Sequence, residues 1–248
     1  MPALPKLKNT KPHIEQRIHR ALEEDRKKRA TAHAPGLMLS SVGKCPRALW
    51  ASLHGIEEES PPEGRSLVIF ELGNAIESHV VGLLRAAGFS VSDRNYETQQ
   101  QHAVSAYDGR LRGRLDGTIS LGRDKFERDD LLEIKSAKVE KFEELLLAGY
   151  EAWNGEYADT LHGYMGWGGF RYALVVVYCK NDSRLYCERL AFDPDRFARL
   201  KRKVEHVLES ADPVAKPDDA TSQYSSCCKY CPHNQWCWSP LPDYPFDK

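Results

Sequence analysis

Two short runs, RLRGRLDGTI at residues 110–119 and LLEIK at residues 131–135, carry the reading of this chain. In an extended backbone successive side chains point to opposite faces. Arg110, Arg112, Arg114 and Asp116 therefore share one face, and Leu111 and Leu115 take the other. The same alternation sets Glu133 beside Lys135 and turns Leu132 and Ile134 toward the core. A polar loop at 121–130 lets the two runs lie side by side as strands. Asp116, Glu133 and Lys135 then converge.

Converging carboxylates repel, which raises the cost of ionising both. A divalent cation removes that cost, and carboxylate oxygens suit hard ions such as Mg²⁺ or Mn²⁺. A lysine beside them can orient or help deprotonate a water, or stabilise charge developing on a phosphate. Metal-assisted phosphodiester hydrolysis requires these parts. Ordinary solvated strands also carry paired Glu and Lys, so the spacing alone leaves both readings open.

Outward from these runs, Ile14, Ile18 and Leu22 predict a thin-striped helix over 12–29, within a charged N-terminal helix or arm at 1–35. Ser40 or Ser41 is placed to cap a short helix between Met38 and Leu53. Ser66–Ala87 reads as a helix with Ile69, Leu72, Ile76, Val80, Leu83 and Leu84 along one face, closed by Gly88. A strand is expected at 89–92, and helices at 139–149 and 156–170. Tyr172–Cys179 reads as a buried strand, turned at 181–183 into a second one over 184–191. Asp193 and Pro194 open a last helix with Phe197, Leu200, Val204, Val207 and Leu208 on its core face. The order predicts an α/β fold, with a mixed central sheet flanked by helices.

The motifs resemble a known family. G-R-L-D-G ending its acidic strand at Asp116, followed by L-E-I-K at 132–135, is similar to the signature of PD-(D/E)xK nucleases in their RecB-like exonuclease form. Gly73-Asn-Ala-Ile-Glu77 lies on a helix where that family carries G-x-x-x-H or G-x-x-x-E. The resemblance implies that Glu77, Asp116 and Glu133 hold the metal, that Ile134 adds its backbone carbonyl, and that Lys135 is catalytic. Glu77 also reads as a helix-flank glutamate beside the core stripe. T-L-H-G-Y at 160–164 resembles the family's Q-x-x-x-Y helix, with Tyr164 matching and Thr160 replacing the glutamine. Tyr164 is a catalytic-site candidate or an ordinary packed tyrosine.

Cys228, Cys231 and Cys237 give C-x2-C-x5-C, three thiol ligands where a tetrahedral zinc site or a cubane cluster needs four. Cys45, Cys227, Cys179, Cys187 and His233 are the candidates for the fourth. Cys179 and Cys187 read as small core residues, and Cys227 is crowded by its neighbour. Cys45, in G-K-C-P-R, suits a metal-binding loop. One early and three late cysteines resemble the iron–sulfur branch of RecB-like nucleases: CRISPR-adaptation nucleases, the AddB nuclease domain and phage relatives. The resemblance implies a 4Fe–4S cluster on Cys45, Cys228, Cys231 and Cys237 that joins the ends of a nuclease domain spanning 36–248. Zinc on the same ligands is the other reading.

Net charge is −1, so a phosphate-binding surface must be local. Arg110, Arg112 and Arg114 are candidate DNA contacts or a solvated face. Trp236 and Trp238, flanking Cys237, either stack on bases or shield a cluster. No apolar run is long enough for a bilayer, and MPALPKLKNTK is not a secretory leader; a cytoplasmic protein is expected. No P-loop motif is present. The expected partner is DNA, as single strands or ends, with a helicase, recombination or CRISPR-adaptation protein supplying any unwinding. A non-catalytic DNA-binding module and a zinc-stapled scaffold are the alternatives.

Overall fold

The structure, a computed structural model, describes residues 11–30, 36–122 and 129–239. Part of the expected loop, 123–128, lies outside the described residues. Helix α1 (Pro12–Ala30) is followed by β1 (Leu37–Met38), a 3₁₀ turn at Leu39–Ser41, α2 (Pro46–Leu53) and α3 (Gly64–Ala86). Then come β2 (Ser90–Ser92), β3 (Ala103–Ala106), β4 (Leu111–Arg114), β5 (Gly117–Ser120) and β6 (Asp130–Ala137). Helices α4 (Val139–Ala148), α5 (Tyr150–Trp153) and α6 (Gly155–Gly168) lead to β7 (Tyr172–Cys179) and β8 (Leu185–Ala191). Helix α7 (Pro194–Glu209) and the short α8 (Asn234–Trp238) complete the described chain.

Two sheets replace the single central sheet expected. Five strands run in the order β2-β5-β6-β7-β8, and three in the order β1-β4-β3. The run at 110–119 is therefore two strands. It leaves the small sheet after Arg114 and enters the large one at Gly117, with Leu115 and Asp116 between. Alternation of buried and more exposed residues continues unbroken across the switch. In the large sheet β6 pairs antiparallel with β5 and parallel with β7. A parallel neighbour requires a long crossover, and α4, α5 and α6 supply it.

The large sheet is covered on both faces. Ile76, Val80 and Val81 of α3 pack with Ile119, Leu132, Ile134 and Val176. Leu131, Val175 and Val177 join the larger core with Phe142, Leu145, Leu161, Met165, Leu200 and Val204. This two-sided burial explains the nearly continuous apolar runs of β6 and β7. Asp193 caps α7 as expected, accepting from the backbone N–H groups of Asp195 and Arg196. Cys45, rather than Ser40 or Ser41, occupies the N-cap position of α2, with Pro46 first in the helix.

The apolar stripe of α3 is only partly used. Ile76 and Val80 are buried, whereas Ile69, Leu72 and Leu83 are exposed. The N-terminal half of α3 extends past the sheet, where α1 packs beside it. Glu23 accepts from the Gly64 N–H, and Arg26 pairs with Glu58. Ile14 and Ile18 on α1 are exposed as well. Helix α3 is also the described helix that is long and apolar enough to cross a membrane, judged by length and composition alone.

Close backbone approach fixes one glycine. A Cβ on Gly43 would lie 2.2 Å from the Glu156 carbonyl oxygen at the start of α6. Backbone cannot yield as a side-chain tip can, so Gly43→Ala is expected to cost about 2–3 kcal/mol. Urea denaturation checks this: an unchanged midpoint would show that the loop relaxes freely.

Candidate active site and cysteine pocket

The β5–β6 ladder pairs Gly117 with Leu132 and Thr118 with Leu131. One step further, the same register sets Asp116 opposite Glu133. Asp116 is past the end of β5, so its side chain takes the place of the missing ladder partner. The Ile134 N–H donates to Asp116 Oδ2 at 2.7 Å. Glu133 is buried, and its Oε1 lies 2.5 Å from Lys135 Nζ. Lys135 Nζ is also 3.5 Å from the Ile134 carbonyl and 5.8 Å from the centre of the Tyr157 ring. The sheet thus brings Asp116, Glu133 and Lys135 together as the alternation predicts, with the Ile134 backbone beside them.

Electrostatics place Glu77 with them. Burial raises the Glu77 carboxyl, Lys135 opposes that rise, and the Glu133 charge adds to it. Burial is also the first cause at Asp116. The Glu133 and Glu77 charges add, Lys135 and the Ile134 N–H oppose, and the carboxyl is pushed up to about 7. At Lys135 burial works against the ammonium, but Glu133 and Asp116 more than offset it, holding the group well above the usual lysine range. Three carboxylates face one ammonium. That excess of buried negative charge is the donor chemistry a hard divalent cation suits. As the side chains stand, no three His, Cys, Asp or Glu among the described residues are set in metal-ready spacing; Glu133 is drawn to Lys135 instead.

Two tyrosines close the site from α5 and α6. Tyr164 is buried, and burial together with the Glu133 and Asp116 charges disfavours its ionisation. It lies over the small sheet: a Cβ on Gly113 would come within 2.8 Å of its hydroxyl oxygen. Thr160, on the same helix, is buried too. Tyr150, which the sequence reading did not single out, is fully buried, and its ionisation is disfavoured by burial and by Glu133. Glu188 accepts from its backbone N–H at 3.0 Å. The next residue, Glu151, accepts from His162 Nε2 at 2.8 Å and from Arg196 at 3.0 Å, which fastens α5 to α6 and α7.

Of the three arginines, Arg110 is engaged away from Asp116. Arg110 donates to the Leu208 carbonyl at 2.5 Å, near the C-terminal end of α7, where a cation complements the helix dipole. Arg112 is partly buried, and Arg114 is exposed on β4.

The expected cysteine ligands meet at a second place. Cys45, Cys228, Cys231 and Cys237 line one pocket, together with Cys227, His233, Lys216, Trp236 and Trp238. Cys227 and Cys228 have their sulfurs 3.7 Å apart. Adjacency to Cys228 does not keep Cys227 out of the pocket. Cys179 is buried in the core as expected, while Cys187 is exposed on β8. Burial raises the thiols of Cys231 and Cys237, and burial with Cys228 pushes Cys227 up to about 12. Arg47 lies 5.1 Å from the ring centre of Trp236, and Lys216 Nζ 3.6 Å from that of Trp238.

Among the described residues, five buried side-chain polar atoms lack a hydrogen-bond partner: Tyr150 Oη, Arg47 Nε, His233 Nδ1, Trp236 Nε1 and Trp238 Nε1. Native proteins leave few such atoms. All five adjoin the two candidate sites. Four of the five lie around the crowded thiols of the cysteine pocket.

No family model and no curated protein matches the chain. Solved structures do. An alkaline exonuclease, LHK-Exo from Laribacter hongkongensis, is 17% identical, with a TM-score of 0.50 over 72% of this chain and 88% of that one. Its complex with dAMP gives 0.51 over 70% and 86%, again at 17% identity. Its fold is similar to that of an alkaline exonuclease. A second protein, SSO0001, is 15% identical, with a TM-score of 0.55 over 90% of this chain and 97% of that one.

Proposed function

We propose that the chain is a metal-dependent deoxyribonuclease, an exonuclease acting on single strands or DNA ends. The convergence of Asp116, Glu133 and Lys135 where the chain passes between sheets carries this reading, and the exonuclease-like fold supports it. Glu77, Asp116 and Glu133, with the Ile134 carbonyl, would hold Mg²⁺ or Mn²⁺. Bound there, the ion would polarise a phosphoryl oxygen and acidify a water. Lys135, kept protonated by its acidic neighbours, supplies positive charge to the phosphate as negative charge develops on it. Tyr150 and Tyr164 exclude water behind the carboxylates and keep their protons.

The cysteine pocket is read as the seat of a 4Fe–4S cluster on Cys45, Cys228, Cys231 and Cys237. The unpartnered N–H donors of Arg47, Trp236 and Trp238 favour it over a single zinc ion, because cluster sulfides add acceptors that zinc lacks. Its role is structural. DNA recombination, repair, phage DNA metabolism and CRISPR adaptation in the cytoplasm are compatible settings, with a helicase or adaptation protein as partner.

The test is degradation of linear single-stranded DNA with Mn²⁺, beside Lys135→Ala. Wild type is expected to degrade it, and the variant to be slower by about 10²–10³-fold, the usual cost of removing one transition-state donor. Absence of degradation by wild type, or equal rates, overturns the nuclease reading.

A further inference from the structure

The N-terminal half of α3 keeps exposed apolar residues beside α1 that nothing among the described residues covers. Val68, Ile69, Phe70 and Leu72 are all exposed, Phe70 by 54%. Helical phase distinguishes one of them. Seven residues make two turns, so Phe70 stands on the face of α3 that carries Glu77, about 10 Å along the axis. Between them on that face are Gly73 and the exposed Asn74. A Cβ on Gly73 would meet nothing within 4 Å. Between Glu77 and Phe70 this face of α3 therefore carries the bare Gly73 backbone and the short Asn74 side chain.

We propose that Phe70 is a stacking platform for a base of single-stranded DNA, about three stacked nucleotides from the acidic site at a rise of about 3.4 Å. The inference rests on the nuclease reading above. The site's net negative charge repels a phosphate backbone except at a bound cation. Grip beyond the scissile phosphate must come from the bases, whose faces an exposed aromatic ring fits. A base paired and stacked within a duplex cannot reach such a ring, so the platform selects strands whose bases are already free. The exposed Ile14 and Ile18 of α1, together with Val68 and Leu72, offer apolar surface alongside.

The experiment measures fluorescence anisotropy of a short labelled oligothymidylate on wild type, Phe70→Ala and Phe70→Trp, with Ca²⁺ replacing Mn²⁺. A matched oligonucleotide carrying abasic residues is run in parallel. Wild type is expected to bind the abasic strand about tenfold more weakly. Phe70→Ala should bind both strands equally weakly, and Phe70→Trp should restore the preference. Cleavage with Mn²⁺ is measured on the same samples. Wild type that cleaves, with Phe70→Ala retaining full affinity and base preference, overturns the platform and spares the nuclease reading. Wild type that neither binds nor cleaves overturns both. A variant that changes only self-association or co-sedimentation with phosphatidylcholine vesicles assigns this face elsewhere and also overturns the proposal.

Discussion

Asp116→Asn is expected to abolish cleavage and, without divalent ions, to make the protein harder to unfold at neutral pH. The two effects have one origin. The folded chain holds the Asp116 carboxyl up to about 7, first by burial and then by the Glu133 charge. A raised carboxyl pKa means that the folded state binds the proton more tightly than the unfolded one. Stability is then fully retained below about pH 4 and declines as pH rises toward 7. The full shift caps the loss at about 4 kcal/mol; the neighbouring Glu77 carboxyl, which burial also raises, brings the expected loss to roughly 1–2 kcal/mol. Asparagine keeps an oxygen for the Ile134 N–H and carries no charge. The metal-free variant should melt about 3–8 °C higher at pH 7.5 and show little advantage at pH 4. Mn²⁺ should raise the melting point of wild type only, since linkage stabilises the state that binds. Activity should fall at least about 10³-fold. A variant that melts below wild type at pH 7.5 would show that Asp116 is a paired structural carboxylate, and one that still cleaves would remove it from the site.

Cys45→Ala is the second large effect. Residue 45 lies at the start of α2, and Cys228, Cys231 and Cys237 lie near the end of the described chain, so a shared ligand group closes a very long loop. Cross-linking a loop of that order restrains the unfolded chain by about 5 kcal/mol. Polar contacts follow the same path: Arg47 donates to the Val214 carbonyl at 2.8 Å, Trp50 to that of Ser210 at 3.0 Å, and Glu59 accepts from the Gln235 N–H at 2.8 Å. Wild type prepared anaerobically should be brown and contain iron. Cys45→Ala should lose the iron and melt some 10–20 °C lower, while Cys187→Ser, at an exposed position, should keep both. A colourless wild type containing zinc would overturn the cluster, and an unchanged melting point in Cys45→Ala would overturn the staple.

The acidic site was legible because its cause is local. Period-two alternation places Glu133 beside Lys135 whatever the surrounding fold, and β6 follows it. The change of sheet at Leu115 and Asp116 was not legible, because burial alternates through it without a break. Strands β1 and β3 were missed for lack of signal: one has two residues, and Ala103–Ala106 is poor in the branched and aromatic residues that mark strands. Tyr150 was missed because it stands in a single helical turn after Gly149, where no periodicity can develop. The stripe on α3 announced a helix correctly but overstated its burial, since periodicity reports which residues share a face and not what packs on that face. The contact of Arg110 with the end of α7 was not legible, because it joins residues far apart in the chain.

Asp116 belongs to neither sheet, and this has a mechanical consequence. A ladder fixes the spacing of residues within one sheet, but the separation of Asp116 from Glu133 is set at a joint between two. The Asp116 carboxyl and the Glu133 charge meet at that joint, so their repulsion bears on the link between the sheets rather than on either ladder. The small sheet is the other side of that joint. It carries Gly113 against Tyr164 on one side, and its strand β4 is preceded by the arginine that grips the end of α7. The position of Asp116 against Glu133 is therefore tied, through the small sheet, to the C-terminal end of α7.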